Sequence, residues 1–195
     1  MARPESPRGL RSRALIAQAA ARLIAEHGFS DWSAAKRKAC RELGLPDSES
    51  LPANDEVEQA LRNYNSLFRP DAQAASLREQ RAAALHWMDQ LAAWNPVLTG
   101  GVAAGWATEH SDIRLELEAE DPKNVEMALI NAGVDYAPLA GTPASVLIAG
   151  RGEAAVRLHV VTPQQRRNRL RRDEDARLSR TELQALLDAN AAALR

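Results

Sequence analysis

Between Thr99 and Leu117 the chain reads TGGVAAGWATEHSDIRLEL, a glycine pair followed by alternating polar and apolar side chains. Glycines at 100 and 101 leave backbone N–H groups open to a phosphate. Asp112, Arg114 and Glu116 occupy alternate positions, so an extended conformation places them on one face. Carboxylates there can hold magnesium, and guanidinium groups can hold phosphate. Other chemistries lack their residues. Cys40 is the only cysteine and has no histidine near it in sequence, and there is no Gly-x-Ser-x-Gly, phosphate-loop, His-Glu-x-x-His or Cys-x-x-Cys run. Gly100, Gly101 and Gly105 lack the surrounding strand, turn and helix of a dinucleotide fingerprint.

The elements that must position these residues follow from periodicity. Residues 110–119 read as a strand, with Ser111, Ile113, Leu115, Leu117 and Ala119 inward and His110, Asp112, Arg114, Glu116 and Glu118 on a solvated face. Asp121 then caps a helix with Pro122 at its first position, Val125, Ala128, Leu129 and Ala132 inward, and Gly133 as its stop. Residues 134–137, 145–149 and 154–161 read as strands, the last with Val156, Leu158 and Val160 opposite Arg157 and His159. The 110–119 and 154–161 strands are expected to pair, with Asp112 and His159 on a common face. A closing helix, 180–194, would bury Leu183, Leu186, Leu187 and Leu194.

Upstream the period is helical. A first helix is expected over about 10–27, and a second from Asp31 or Ser33 to Gly44 with Lys36, Arg37, Lys38 and Arg41 on a basic face. A third, capped by Asn54, would bury Val57, Leu61, Tyr64 and Phe68. A fourth, over about 71–94, would bury Leu77, Ala84, Leu85, Met88 and Leu91. The expected fold class is α+β, an N-terminal helical region packed on a small mixed sheet with a closing helix. The expected organisation is a disordered basic arm over 1–13, a helical region over 14–95 and an α+β region over 96–195.

The Thr99–Leu117 segment resembles the signature of the polymerase-beta-type nucleotidyltransferase superfamily. There a glycine turn precedes a strand carrying Asp-x-Asp, and a third carboxylate comes from a neighbouring strand. Gly100 and Gly101 match the turn and Asp112 the first carboxylate. Arg114 stands at the second carboxylate, and the neighbouring strand offers Arg157 and His159. A guanidinium repels magnesium instead of ligating it. The resemblance therefore implies a degenerate member that binds a nucleotide or phosphorylated partner, or serves as a scaffold. Gly100, Gly101, Arg114 and Arg157 are its candidate phosphate-binding residues. Magnesium enters only through a shifted catalytic site on Asp112 and Glu116, with Asp112 as metal ligand. Those two side chains share a face, Glu116 lying about 7 Å beyond Arg114.

A second resemblance lies upstream. AAARLIAEHGFSDWS is similar to the opening of a TetR-type repressor, which implies a nucleic-acid-binding regulator using the N-terminal helices. The chain then continues into GLPDSESLPAND and an acid-containing helix, where such a repressor has a short turn and a recognition helix. Weak, non-specific nucleic-acid binding is the most that is expected.

Charge is segregated although the net charge is -1. Seven acids lie within 109–126 and seven arginines within 163–180, runs that can neutralise each other within the fold or form a phosphate-facing surface. Composition, at 45% hydrophobic and 4% aromatic, favours helices and small-residue packing over an all-β sandwich. The lone cysteine, the absence of an apolar run of about 18 residues and the lack of an apolar stretch after the basic N-terminus make a cytoplasmic protein the expectation, with no membrane partner. Oligomeric state is not legible.

Overall fold

The computed structural model describes residues 7–29, 31–46, 50–140, 143, 145–150, 155–168 and 176–193. The chain divides into two compact units, Met1–Ser76 with Trp106–Ser111, and Leu77–Gly105 with Asp112–Arg195. The division falls inside a helix, and residues 106–111 return to the first unit.

The first unit is built on α1 (Pro7–His27), α2 (Trp32–Glu42), α3 (Asn54–Phe68) and the opening of α4 (Pro70–Gln90). Small and branched apolar residues at helical spacing make its core: Ile16, Ala20, Leu23 and Ile24 of α1, Ala35 and Ala39 of α2, and Val57 and Leu61 of α3. Gly28 takes φ 65 to end α1. Asp31 then caps α2, its Oδ1 accepting from the N–H groups of Ser33 (2.8 Å) and Ala34 (3.1 Å). The Trp106 ring lies 5.0 Å from that of Trp32.

Four expectations change here. α1 starts at Pro7, so residues 7–13 of the expected arm are helical, and residues 1–6 lie outside the described residues. Lys36 is buried, not part of an exposed basic face, and its Nζ donates to Asn54 Oδ1 at 2.7 Å. That bond occupies the oxygen expected to cap α3. Ala53 takes the capping position, and the Glu56 carboxylate accepts from its N–H at 2.7 Å. Finally, Phe68 is 68% exposed and lies beside the Tyr64 ring instead of in the core.

The second unit is a six-stranded mixed sheet with helices, which makes the chain α+β. Its elements are β1 (Val97–Thr99), α5 (Gly100–Ala104), β2 (Ile113–Glu118), α6 (Pro122–Asn131), β3 (Tyr136–Pro138), β4 (Val146–Ala149), β5 (Val156–Val161), α7 (Pro163–Asn168), β6 (Arg177–Ser179) and α8 (Arg180–Ala193). The strand order is β3-β4-β5-β2-β1-β6, and β2–β5 is the parallel pair while the other pairs are antiparallel. Ile113 pairs with Val156, Leu115 with Leu158 and Leu117 with Val160, which gives the two strands a common buried face. Val125 and Leu129 of α6 are buried too, and Asp121 caps that helix by accepting from Lys123 N–H at 3.0 Å. In α8 Leu183 is buried while Leu186 and Leu187 are half-buried, and Leu194 lies outside the described residues. Among the described residues no helix is long and apolar enough to cross a membrane.

Candidate functional site

β1 delivers the chain to Gly100, which takes φ 71 and turns it into the short helix α5, so a strand, a turn and a helix do surround these glycines, although the elements are too short for the sequence to announce them. A Cβ on Gly100 would lie 3.3 Å from Arg114 Cδ, so the absent side chain is what lets the arginine stem lie against the turn. The far end of α5 is held by Arg81 of α4. Its Nε donates to the Val102 carbonyl at 3.1 Å and its Nη2 to that of Ala103 at 3.4 Å. Burial pushes this guanidinium below its ordinary pKa.

Across the sheet, the parallel register sets Arg114 opposite Arg157 and Glu116 opposite His159. Asp112, just before β2, pairs with Arg157 at 2.6 Å. The Nε of Arg157 is buried and has no hydrogen-bond partner. Arg114 is half-buried and forms no hydrogen bond or ion pair through its guanidinium with any described residue. Burial pushes its pKa down, the neighbouring charge of Arg157 pushes the same way, and Asp112 opposes both. Gly100, Arg114, Arg157 and Asp112 are therefore brought together. Gly101, by contrast, is buried.

Glu116 is in a different situation from the one its alternation suggests. Instead of facing water it is 1% exposed. Arg166 of α7 donates its Nε to Oε1 at 3.2 Å, and Arg177 of β6 engages both carboxylate oxygens. Arg166 also reaches Glu118 Oε2 at 3.2 Å and the Asn95 carbonyl at 2.8 Å. The far half of the expected solvated face is thus roofed by two arginines from the basic run. That is the neutralisation the segregated charges allow, although the sequence does not say which arginines perform it. Arg169, Arg171 and Arg172 lie outside the described residues.

The donor set does not fit a two-magnesium centre. Arg114 and Arg157 are cationic, Glu116 is engaged by guanidinium groups, and no cluster of three or more His, Cys, Asp or Glu suited to a metal occurs among the described residues. What the face offers is cationic. Among the described residues Arg114, Arg157, Arg166 and Arg177 stand against Asp112, Glu116 and Glu118, and the surplus charge sits at Arg114. Beside Arg157 and His159, a cavity of about 670 Å³ is flanked by Leu139, Val146 and Val161. Comparison with known proteins finds no matching family model, no similar curated protein and no similar solved structure.

Proposed function

We propose that this protein binds the phosphate of a nucleotide or phosphorylated partner on the sheet face between Gly100 and Arg157, without magnesium. Arg114 carries the reading. A guanidinium drawn partly out of water is costly unless an anion or several acceptors compensate it; among the described residues Asp112 favours its charge, and that carboxylate is paired with Arg157. A ligand phosphate supplies two or more acceptor oxygens to a planar fork of donors. Support also comes from the glycine turn ahead of β2 and from β5 as the neighbour of β2. A glycine turn, a following strand and a neighbouring strand are what the resemblance to the nucleotidyltransferase superfamily implies, with arginines in the place of metal-binding carboxylates. No transfer chemistry is assigned to the site.

The test is calorimetric titration with pyrophosphate, in chelator and in magnesium. Binding should survive the chelator and weaken by about tenfold or more in Arg114→Gln, the loss of one charge-assisted contact. Binding that requires magnesium, or transfer of label from a nucleoside triphosphate to an acceptor, would overturn the reading. Absence of any binding would leave the scaffold role.

A further inference from the structure

We infer that the group recognised here is a terminal phosphate dianion, and that it displaces the Asp112 carboxylate from Arg157. The inference rests on the reading of the site just given and adds the ligand's charge state and the residue that regulates access. Arg114 and Arg157 are register partners on adjacent parallel strands, so their side chains leave the same face side by side. Two like charges held together call for two negative charges. Among the described residues Asp112 supplies one, its Oδ2 lying 2.6 Å from Nη2 of Arg157 while the buried Nε has no hydrogen-bond partner.

Asp112 therefore acts as an internal stand-in for the ligand. Its side chain is 39% exposed, against 24% for Arg157. The pair is accessible to water, and breaking it is cheap. A phosphate monoester, which carries close to two negative charges at neutral pH, replaces the single charge of Asp112 and balances both guanidinium groups. A phosphodiester carries one charge and gains nothing over the carboxylate already in place. The site consequently takes free phosphate ends, such as a nucleoside monophosphate or a phosphorylated side chain, in preference to nucleic-acid backbone.

The experiment compares adenosine 5′-monophosphate with its 3′,5′-cyclic diester, which share base and sugar and differ in phosphate charge. Titrations are made in chelator with the full chain. The wild type should bind the monoester about tenfold more tightly than the cyclic diester, the effect of one unit of charge in a partly desolvated site. Asp112→Asn should tighten monoester binding about two- to fivefold, the range of a partly exposed ion pair. In an Arg157→Gln background that gain should vanish, whereas a gain from general charge removal would persist. Equal affinity for the two ligands, or weaker monoester binding in Asp112→Asn, would overturn the inference. Asp112→Ser provides a second reading of the same pair. If pyrophosphate binds and loses affinity in Arg114→Gln while the monoester preference is absent, the phosphate site stands and this inference falls. If neither pyrophosphate nor the monoester binds, the site itself falls.

Discussion

Glu116 has almost no water around it, so its charge depends on Arg166 and Arg177. Removing the carboxylate would leave two guanidinium groups, 17% and 21% exposed, converging without an anion between them. Breaking a buried pair from one side is far more damaging than the pair is worth, because the remaining charge keeps its desolvation cost. Glu116→Ala should therefore lower the unfolding free energy by about 3–5 kcal/mol, read from the urea midpoint at constant slope. A loss under about 1 kcal/mol would mean that water compensates the arginines and that Glu116 is still open to ligands. Arg114 is the counterpart. Its guanidinium has no hydrogen bond or ion pair with a described residue, which is why the proposed binding site rests on it, whereas Glu116 ties β2 to α7 and β6.

The site turns on how β1 passes into α5, and there a single residue sets the geometry. At Gly100 an alanine would have to hold φ 71, which costs about 1–2 kcal/mol, and its Cβ would press on the Arg114 stem at 3.3 Å. Gly100→Ala is expected to lower stability by about that amount and to weaken pyrophosphate binding several-fold, by thermal melting and calorimetry. Unchanged binding would separate the turn from the site. Elements were legible in the sequence where they run long enough to show a period. β2 and β5 span six residues each and their alternation predicts both the pairing and the buried face. Asp121 and Pro122 likewise announce α6 through local chemistry alone. β1 and β6, at three residues each, carry no period, and both are set by pairing with strands distant in sequence. The burial of Glu116 was illegible for a different reason. Alternating polar residues are the same pattern whether water or arginines cover them. Lys36 and Asn54 misled similarly, since a lysine on a helix and an asparagine before one read as solvated face and cap until each finds the other at 2.7 Å.

On the scale of the whole chain, the segment 106–111 belongs with the first unit although it lies between β1 and β2 in sequence. No hydrophobic period in WATEHS could announce that return. What anchors it is the Trp106 ring against Trp32, the Trp106 carbonyl accepting from Asn65 at 3.3 Å, and Arg69 gripping Glu109 at 2.8 Å. Charge is distributed as economically. Of the groups that a basic surface could use, Lys36 is buried, Arg166 and Arg177 are spent on Glu116, and Arg180 pairs with Asp89 at 2.5 Å, while the net charge is -1. Arg37 and Arg41 are exposed on α2, as are Arg11 on α1 and Arg167 on α7. A polyanion thus meets scattered cations among the described residues, and each phosphate contact contributes about 0.9 to the slope of log affinity against log salt. Binding of a fluorescent DNA duplex should be on the order of 100 µM or weaker at 0.15 M salt, without sequence preference, and its slope shallower than about −3. Anisotropy titrations from about 0.05 to 0.2 M salt would read both quantities. A tight, sequence-selective complex at the upper end of that range would instead place the function on the N-terminal helices, where the exposed Arg37 and Arg41 would be the first side chains to replace.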